Sequence, residues 1–385
     1  MHPVDLQSAT TVTSERRLGI GIVTGYLPTD RAGGAQIQAV RMARELAASH
    51  DVTLFARGHP AAAREPPAEG LRVVMRQPVE VRGVRLLDDT RIAVAQIGRL
   101  QRHLDVLVCY QSLAAGWIGA RARRRLGLPC LVWVRGRQEY QMNRLSRFRL
   151  LVPYVFKTVD RVLVQAQPLM REVLEAFDRP GLRHVHHRLR ERIRVLPNGV
   201  DLHPRRSNTG EAIVFVGRLI KGKGLEDLLS AMHHLPDQRL TVVGEGPERG
   251  HLERLAAGLP VTFTGQVSHP SVLAHIAGAK CLVLPSHSEA FPNVILEAMS
   301  LGVPVVATRV GGTTALVDDG HTGLLVPVGD PARLSAALQR ITGDEDLQRT
   351  MGRRAHEAAA VYAWPVVASR LLDEIAAVLA GAAAR

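Results

Sequence analysis

The chain has 385 residues and a formal net charge of +13, with 46% hydrophobic and 22% charged residues, the balance of a soluble globular protein long enough for two domains. No apolar run reaches the roughly 20 residues needed to span a bilayer, and an aromatic content of 4% leaves few platforms on which nucleic-acid bases could stack. The charge is uneven: residues 1–200 hold 32 Lys and Arg against 17 Asp and Glu, whereas residues 201–385 hold 17 against 19. A basic half suits an anionic membrane surface or an anionic, lipid-linked acceptor, or is plain solvated surface. No nucleic acid is expected as a partner, because no binding motif accompanies the charge.

Met1 to Arg17 are polar and lack the apolar centre of a signal peptide, which predicts a disordered tail. The apolar run Leu18–Val23 predicts a strand, followed by a turn-rich loop to Gly34. A helix with Ile37, Val40, Met42, Ala43 and Leu46 on one face comes next, then a strand over Val52–Phe55. This alternation is the mark of parallel α/β structure. Further strands are expected at Asp105–Cys109, Cys130–Val134 and Arg161–Val164. Residues 121–149 carry nine arginines and a single acid, Glu139, whose neighbours read as a loop facing an acceptor. The segment Gly181–Arg194, with His184, His186 and His187 among five arginines, is expected to be a solvated loop rather than a metal site. Cys109, Cys130 and Cys281 sit in apolar strand patterns without metal-ligand spacing and predict buried, reduced thiols of a cytoplasmic protein.

Pro, Gly, Asn and Ser cluster at Asn198–Gly210 and predict a hinge. Beyond it, strands are expected at Ile213–Val216, Leu240–Val243, Val261–Thr264, Cys281–Leu284, Val303–Ala307 and Gly323–Val326. Four of them run into polar or glycine-rich loops: Gly217-Arg218, Gly244-Glu245-Gly246-Pro247, Ser286–Phe291 and Gly311-Gly312. Ligands of open α/β sheets bind outside the carboxyl ends of the strands, so these loops mark a binding edge. Ala355–Leu379 has helical apolar spacing broken at Pro365. The expected organisation is a tail at 1–17, a Rossmann-like domain at 18–200, a second Rossmann-like domain at 201–360 and a C-terminal helix at 361–385.

The segment Ser288-Glu289-Ala290-Phe291-Pro292-Asn293-Val294-Ile295-Leu296-Glu297 places two acids eight residues apart around a turn that enters a helix. Pro292 suits a first helical position, where its missing N–H costs nothing. The free backbone N–H groups and positive dipole end between the two acids favour a phosphate. Carboxylates accept paired hydrogen bonds from sugar hydroxyls. Acceptors for hydroxyls beside donors for phosphate match the polarity of a sugar nucleotide. Arg218 and Lys223, five apart after a strand, can converge on a diphosphate. Gly33-Gly34, between the first strand and first helix, can bring backbone N–H groups close to a ligand.

These residues carry a resemblance. The segment around Glu289 and Glu297 resembles the Glu-x7-Glu motif of the retaining glycosyltransferases of family four, which have the two-domain GT-B fold. Val216-Gly217-Arg218-Leu219 with Lys221-Gly222-Lys223-Gly224, Leu196-Pro197-Asn198-Gly199-Val200-Asp201, and Gly302-Val303-Pro304 with Val310-Gly311-Gly312 are similar to that family's other elements. The resemblance implies an α/β, GT-B architecture: two parallel-sheet domains facing each other across a cleft. It implies sugar transfer from a nucleotide-diphosphate sugar, UDP-sugar before others, to an acceptor hydroxyl, with no cofactor and no metal. By the same resemblance Arg218 and Lys223 bind the diphosphate, Glu289 contacts the transferred sugar and Glu297 the ribose hydroxyls. Gly33, Gly34, Gly244, Val267, Phe291, Pro292, Asn293 and Val294 line the donor. Many relatives have His where this chain has Arg135, which is expected to contact sugar, diphosphate or acceptor in its place. In the family the last helix crosses back to the first domain, with an aromatic at the position of Trp364. The competing expectations are an epimerase on the same fold, or a catalytically silent sugar-nucleotide sensor or membrane-recruited scaffold. The expected location is the cytoplasm, peripheral on the inner face of the membrane.

Overall fold

The structure is a computed structural model that describes residues 16–26, 34–58, 70–76, 85–140, 151–206 and 209–384. The expected tail (apart from Arg16 and Arg17), Gly33 and two residues of the expected hinge lie outside them. The first half runs β1 (Gly19–Tyr26), α1 (Gly34–Ala47), β2 (Asp51–Arg57), β3 (Leu71–Arg76), α2 (Arg85–Arg99), β4 (Val106–Tyr110) and α3 (Ala114–Leu126). It continues with β5 (Cys130–Trp133), α4 (Leu151–Thr158), β6 (Arg161–Val164), α5 (Gln167–Phe177), α6 (Arg183–Arg192) and β7 (Ile193–Val195). The second half runs β8 (Ala212–Val216), α7 (Leu225–Met232), β9 (Leu240–Val243), α8 (Arg249–Leu255), β10 (Val261–Gly265), α9 (His269–Ala277) and β11 (Ala279–Leu284). It ends with α10 (Asn293–Ser300), β12 (Val305–Thr308), β13 (Gly323–Val326), α11 (Pro331–Thr342), α12 (Glu345–Ala359) and α13 (Trp364–Ala383).

Among the described residues the strands form a seven-stranded sheet ordered β3-β2-β1-β4-β5-β6-β7 and a six-stranded sheet ordered β10-β9-β8-β11-β12-β13, all neighbours parallel. Parallel strands covered by helices on both faces read as unbroken apolar runs. Val106-Leu107-Val108-Cys109 in β4 and Cys281-Leu282-Val283-Leu284 in β11 are buried throughout. In each sheet the order turns back between two central strands, β1/β4 and β8/β11, and in open α/β sheets ligands bind outside the carboxyl ends of the strands at such a point. The cysteines are free and buried.

The two halves are joined by packing as well as by the chain. Trp364, Val367, Leu371, Ile375 and Val378 of α13 share one core with Ile20, Met42 and Trp133 of the first sheet and its helix α1. Arg161 adds an ion pair with Glu374 at 2.9 Å. The segment Gly181–Arg194, expected as a loop, is instead the helix α6 running into β7: Val185 and Leu189, four apart, bury one face while the arginines and histidines take the other. Among the described residues no helix is long and apolar enough to cross a membrane.

Candidate active site

On the second sheet the site is built by three loops that lock together. After β8 the chain turns through Gly217-Arg218 and reaches Gly224, which caps α7 with φ 70°. A Cβ at Gly224 would lie 1.9 Å from the Pro285 carbonyl oxygen, so only glycine lets this loop close on the segment leaving β11. His287 N–H donates to the Gly222 carbonyl at 2.8 Å. The clamp brings Lys223 Nζ to 2.6 Å from Glu289 Oε1, and Ser286 Oγ donates to the same oxygen at 2.7 Å. The Glu289 side chain is 12% exposed, so its charge is held by one ammonium and one hydroxyl.

Gly311-Gly312 supports Glu289 from the other side. Gly312 N–H donates to the Glu289 carbonyl at 2.9 Å, and a Cβ at Gly312 would stand 2.2 Å from the Ala290 carbonyl oxygen. The backbone that these glycines admit is therefore that of the Glu289–Phe291 loop. Gly312→Ala is expected to destabilise the protein by about 1–3 kcal/mol through overpacking and to weaken nucleotide binding. A thermal melt and a titration with UDP check this; an unchanged melting point would show that the loop yields freely.

Pro292 stands one position earlier than expected: with φ −78° and ψ 108° it is the N-cap of α10, and Asn293 is the first helical residue. The proline ring tolerates that φ, while the extended ψ keeps the residue outside the helix. The Phe291 ring is buried against Tyr362, ring centres 6.2 Å apart, which leaves its backbone for any ligand. Asn293 Oδ1 accepts from Asn198 Nδ2 at 2.5 Å, and Asn198 Oδ1 accepts from Gln165 Nε2 at 3.0 Å. A chain of amides thus links the end of β6 to the start of α10. Val294 packs on the second core, as does Val267 on the loop before α9. Gly244 lies at the end of β9, its N–H donating to the Gly265 carbonyl at 3.0 Å. Arg218 is exposed.

Glu297, one turn along α10, has Oε1 3.2 Å from His269 Nε2. That hydrogen bond raises the His269 pKa above 6.5; burial opposes it, Asp201 supports it and Arg41 opposes it. A raised histidine pKa stabilises the fold below the ordinary value and loses that contribution as the pH climbs through the raised one. The stability gap between wild type and His269→Ala is therefore expected to be widest below pH 6.5 and to close above the raised value. Melts across pH check it, and a gap independent of pH contradicts it.

On the first sheet Gly34 opens α1. Arg137 joins the two sheets: its Nη1 donates to Ser288 Oγ at 2.8 Å, while its Nε donates to Glu172 Oε2 at 2.6 Å. Tyr140 Oη donates to the same Glu172 oxygen at 2.6 Å. Burial works against the Glu172 charge, but the bonds from Arg137 and Tyr140 outweigh it and hold the pKa below the usual range. Glu139 belongs to a segment expected as a loop. It is buried on a 3₁₀ turn, with Oε2 accepting from Ser112 N–H at 2.5 Å and Oε1 from Arg135 N–H at 2.7 Å. The Arg135 guanidinium lies over the rings of Trp133 and Tyr110, 5.0 and 5.3 Å from their centres. Arg137, Glu172, Ser288 and His269 were not singled out from the sequence, because their partners are distant along the chain; Ser286 was not singled out either, although its partner Glu289 is three residues away.

Two family models match end to end: "Glycosyltransferase Family 4" over residues 32–203 and "Glycosyl transferases group 1" over residues 210–344. The chain belongs to the family-4 glycosyltransferases and has their GT-B fold. It is 34% identical to the sulfoquinovosyl transferase SQD2 of Arabidopsis thaliana over 165 residues, 42% of this chain and 32% of that protein. The chain thus spans about a third of that relative's length. Sucrose-phosphate synthase from Thermosynechococcus elongatus has a similar structure, with a TM-score of 0.77 at 24% identity, covering 95% of this chain and 100% of that one. Anabaena HepE in complex with UDP and glucose gives a TM-score of 0.76 at 17% identity, over 94% of this chain and 100% of that one.

Proposed function

We propose that the protein is a retaining, metal-independent glycosyltransferase that moves a hexosyl or N-acetylhexosaminyl group from a nucleotide-diphosphate sugar to an acceptor hydroxyl. The observation that carries this reading is the Lys223–Glu289 pair, clamped just before the N-terminus of α10, with Glu297 one turn further along. Arg218, Lys223 and the first N–H groups of α10 offer donors to a diphosphate. Glu289 offers an acceptor to a hydroxyl of the transferred sugar, and Glu297 offers two oxygens to the ribose hydroxyls. Uridine is the favoured base, supported by the bound UDP of the structurally similar HepE.

In the proposed step the bond from the anomeric carbon to the β-phosphate oxygen breaks. The acceptor oxygen bonds to that carbon from the same side, and its proton passes to the departing diphosphate. Cations fixed where charge grows on the leaving group lower the barrier without needing a metal. The acceptor approaches from the first sheet, whose basic helices suit an anionic or lipid-linked molecule at the inner face of the membrane. The test is to incubate the protein with UDP-hexoses and to read the anomeric configuration of the product by NMR, with and without EDTA. Retention that survives EDTA supports the reading; inversion, or loss of activity with the chelator, overturns it.

A further inference from the structure

Around Arg135 lies a cluster of polar groups that the donor site does not use. Tyr110 ends β4 and Trp133 ends β5, and the two are register partners in adjacent parallel strands. Their rings lie 5.1 Å apart, and the Arg135 guanidinium covers both. Arg135 Nε and Nη1, Trp133 Nε1 and Tyr110 Oη are all enclosed and hydrogen-bond to no described residue. Buried polar atoms without partners are uncommon, and a guanidinium is the costliest of them to leave so. The nearest acid is already committed: both Glu139 oxygens accept backbone N–H groups, one of them from Arg135 itself. Burial lowers the Arg135 pKa to about 10, which still leaves the group cationic at neutral pH. The backbone beside it is also unusual. Gln111, between Tyr110 and Ser112, is the one non-glycine residue with positive φ among the described residues, at 90°. Such outliers cluster where a site imposes them. The whole group sits at the carboxyl ends of β4 and β5, beside the β1/β4 turning point of the first sheet.

We propose that Arg135, Tyr110 and Trp133 form an oxyanion pocket on the first sheet, which reads a carboxylate or phosphate carried by the acceptor. The chemistry is that of the enclosed atoms: two N–H positions of a guanidinium that lies over an indole and a phenol, whose own N–H and O–H are also unpartnered among the described residues. A carboxylate or phosphate meets a guanidinium with charge-assisted hydrogen bonds, which a neutral hydroxyl does not. The aromatic rings meet the cation through its faces, so they leave its N–H groups without hydrogen-bond partners. This inference rests on the donor reading above, which assigns the diphosphate to Arg218 and Lys223. The same oxyanion chemistry would also suit the donor's own phosphates, and the experiment separates the two sources.

The probes are glucuronate, glucose 6-phosphate, glucose and pyrophosphate, each titrated in the presence of UDP, with UDP also titrated alone. The proteins are wild type, Arg135→Met and Arg135→Lys. The expected result is that glucuronate and glucose 6-phosphate stabilise the wild type where glucose does not. Arg135→Met should lose at least about tenfold in affinity for both, as for a lost bond to a charged group, while binding UDP as before. Arg135→Lys keeps the charge but not the planar guanidinium, and should fall between the two. It decides the matter if the methionine variant does not fold. A matching loss of UDP and pyrophosphate affinity in Arg135→Met would support the pocket but assign it to the donor's phosphates. Anion affinities unaltered in both variants, with UDP still bound, would overturn the pocket and leave the donor reading intact. Failure of UDP to bind the wild type would instead remove that reading.

Discussion

Lys223→Ala will lower turnover by at least about a hundredfold, the rough cost of losing one preorganised donor to a developing anion. The expectation rests on two roles that the proposed function gives to one ammonium. Its Nζ lies 2.6 Å from Glu289 Oε1, so it fixes the carboxylate offered to the sugar. It also stands on the loop that offers cations to the diphosphate. Truncation removes both at once and leaves a mostly buried carboxylate with only the Ser286 hydroxyl on that oxygen. Because Lys223 and Glu289 act as a unit, Glu289→Ala should cost about as much, and the double variant little more than either single one. Ser286→Ala, which removes only the hydroxyl, should cost far less. Steady-state rates of the four variants check this, and strictly additive losses would show two independent residues.

Trp364→Ala will destabilise the protein by about 3–5 kcal/mol, the usual range for truncating a large buried aromatic. Trp364 is 5% exposed and starts the helix that completes the core of the first sheet. Its ring packs on Gly199, where a Cβ would lie 2.3 Å from the indole. Gly199 sits between Asn198, which holds Asn293 at the head of α10, and Val200, whose N–H donates to the Tyr362 carbonyl at 2.9 Å. One side chain therefore fixes the crossing helix and the linker beside the site. The loss should appear as a lower thermal midpoint and, because the linker loosens, as weaker nucleotide binding in the protein that remains folded. A midpoint within a degree or so of wild type would contradict this packing account.

What the sequence made legible follows from the physics of parallel sheets. Apart from the edge strand β10, the strands of the second sheet are mostly buried, and four of them, β8, β9, β11 and β12, read as largely apolar runs ending in a polar or glycine-rich loop. The first sheet was less open to reading. β3 is an edge strand, Leu-Arg-Val-Val-Met-Arg, with only its end residues buried, and β7 has three residues; neither makes a run long enough to notice. In α6 two buried residues are outnumbered by charge and histidine, so the helical spacing of Val185 and Leu189 was hidden by composition. At the site, residues clustered in one loop were visible as motifs. The contacts that assemble those loops, from Arg137 to Ser288 and from His269 to Glu297, join residues far apart in the chain, and no spacing rule announces them. Glu139 is a related case: nothing in the spacing around it announces that its two oxygens are held by the backbone N–H groups of Ser112 and Arg135.

In the proposed function the loop before α10, together with the first turns of that helix, binds a nucleotide diphosphate. The most direct test is thermal stability with UDP, GDP and ADP, for wild type and Glu297→Ala. A nucleotide at about 100 times its dissociation constant should add roughly 2.7 kcal/mol to the folded state. The account predicts a rise in melting temperature with one nucleotide, UDP, and a much smaller rise in the variant, which lacks the carboxylate offered to the ribose. No rise with any of the three in a folded protein, or an equal rise in the variant, would contradict it.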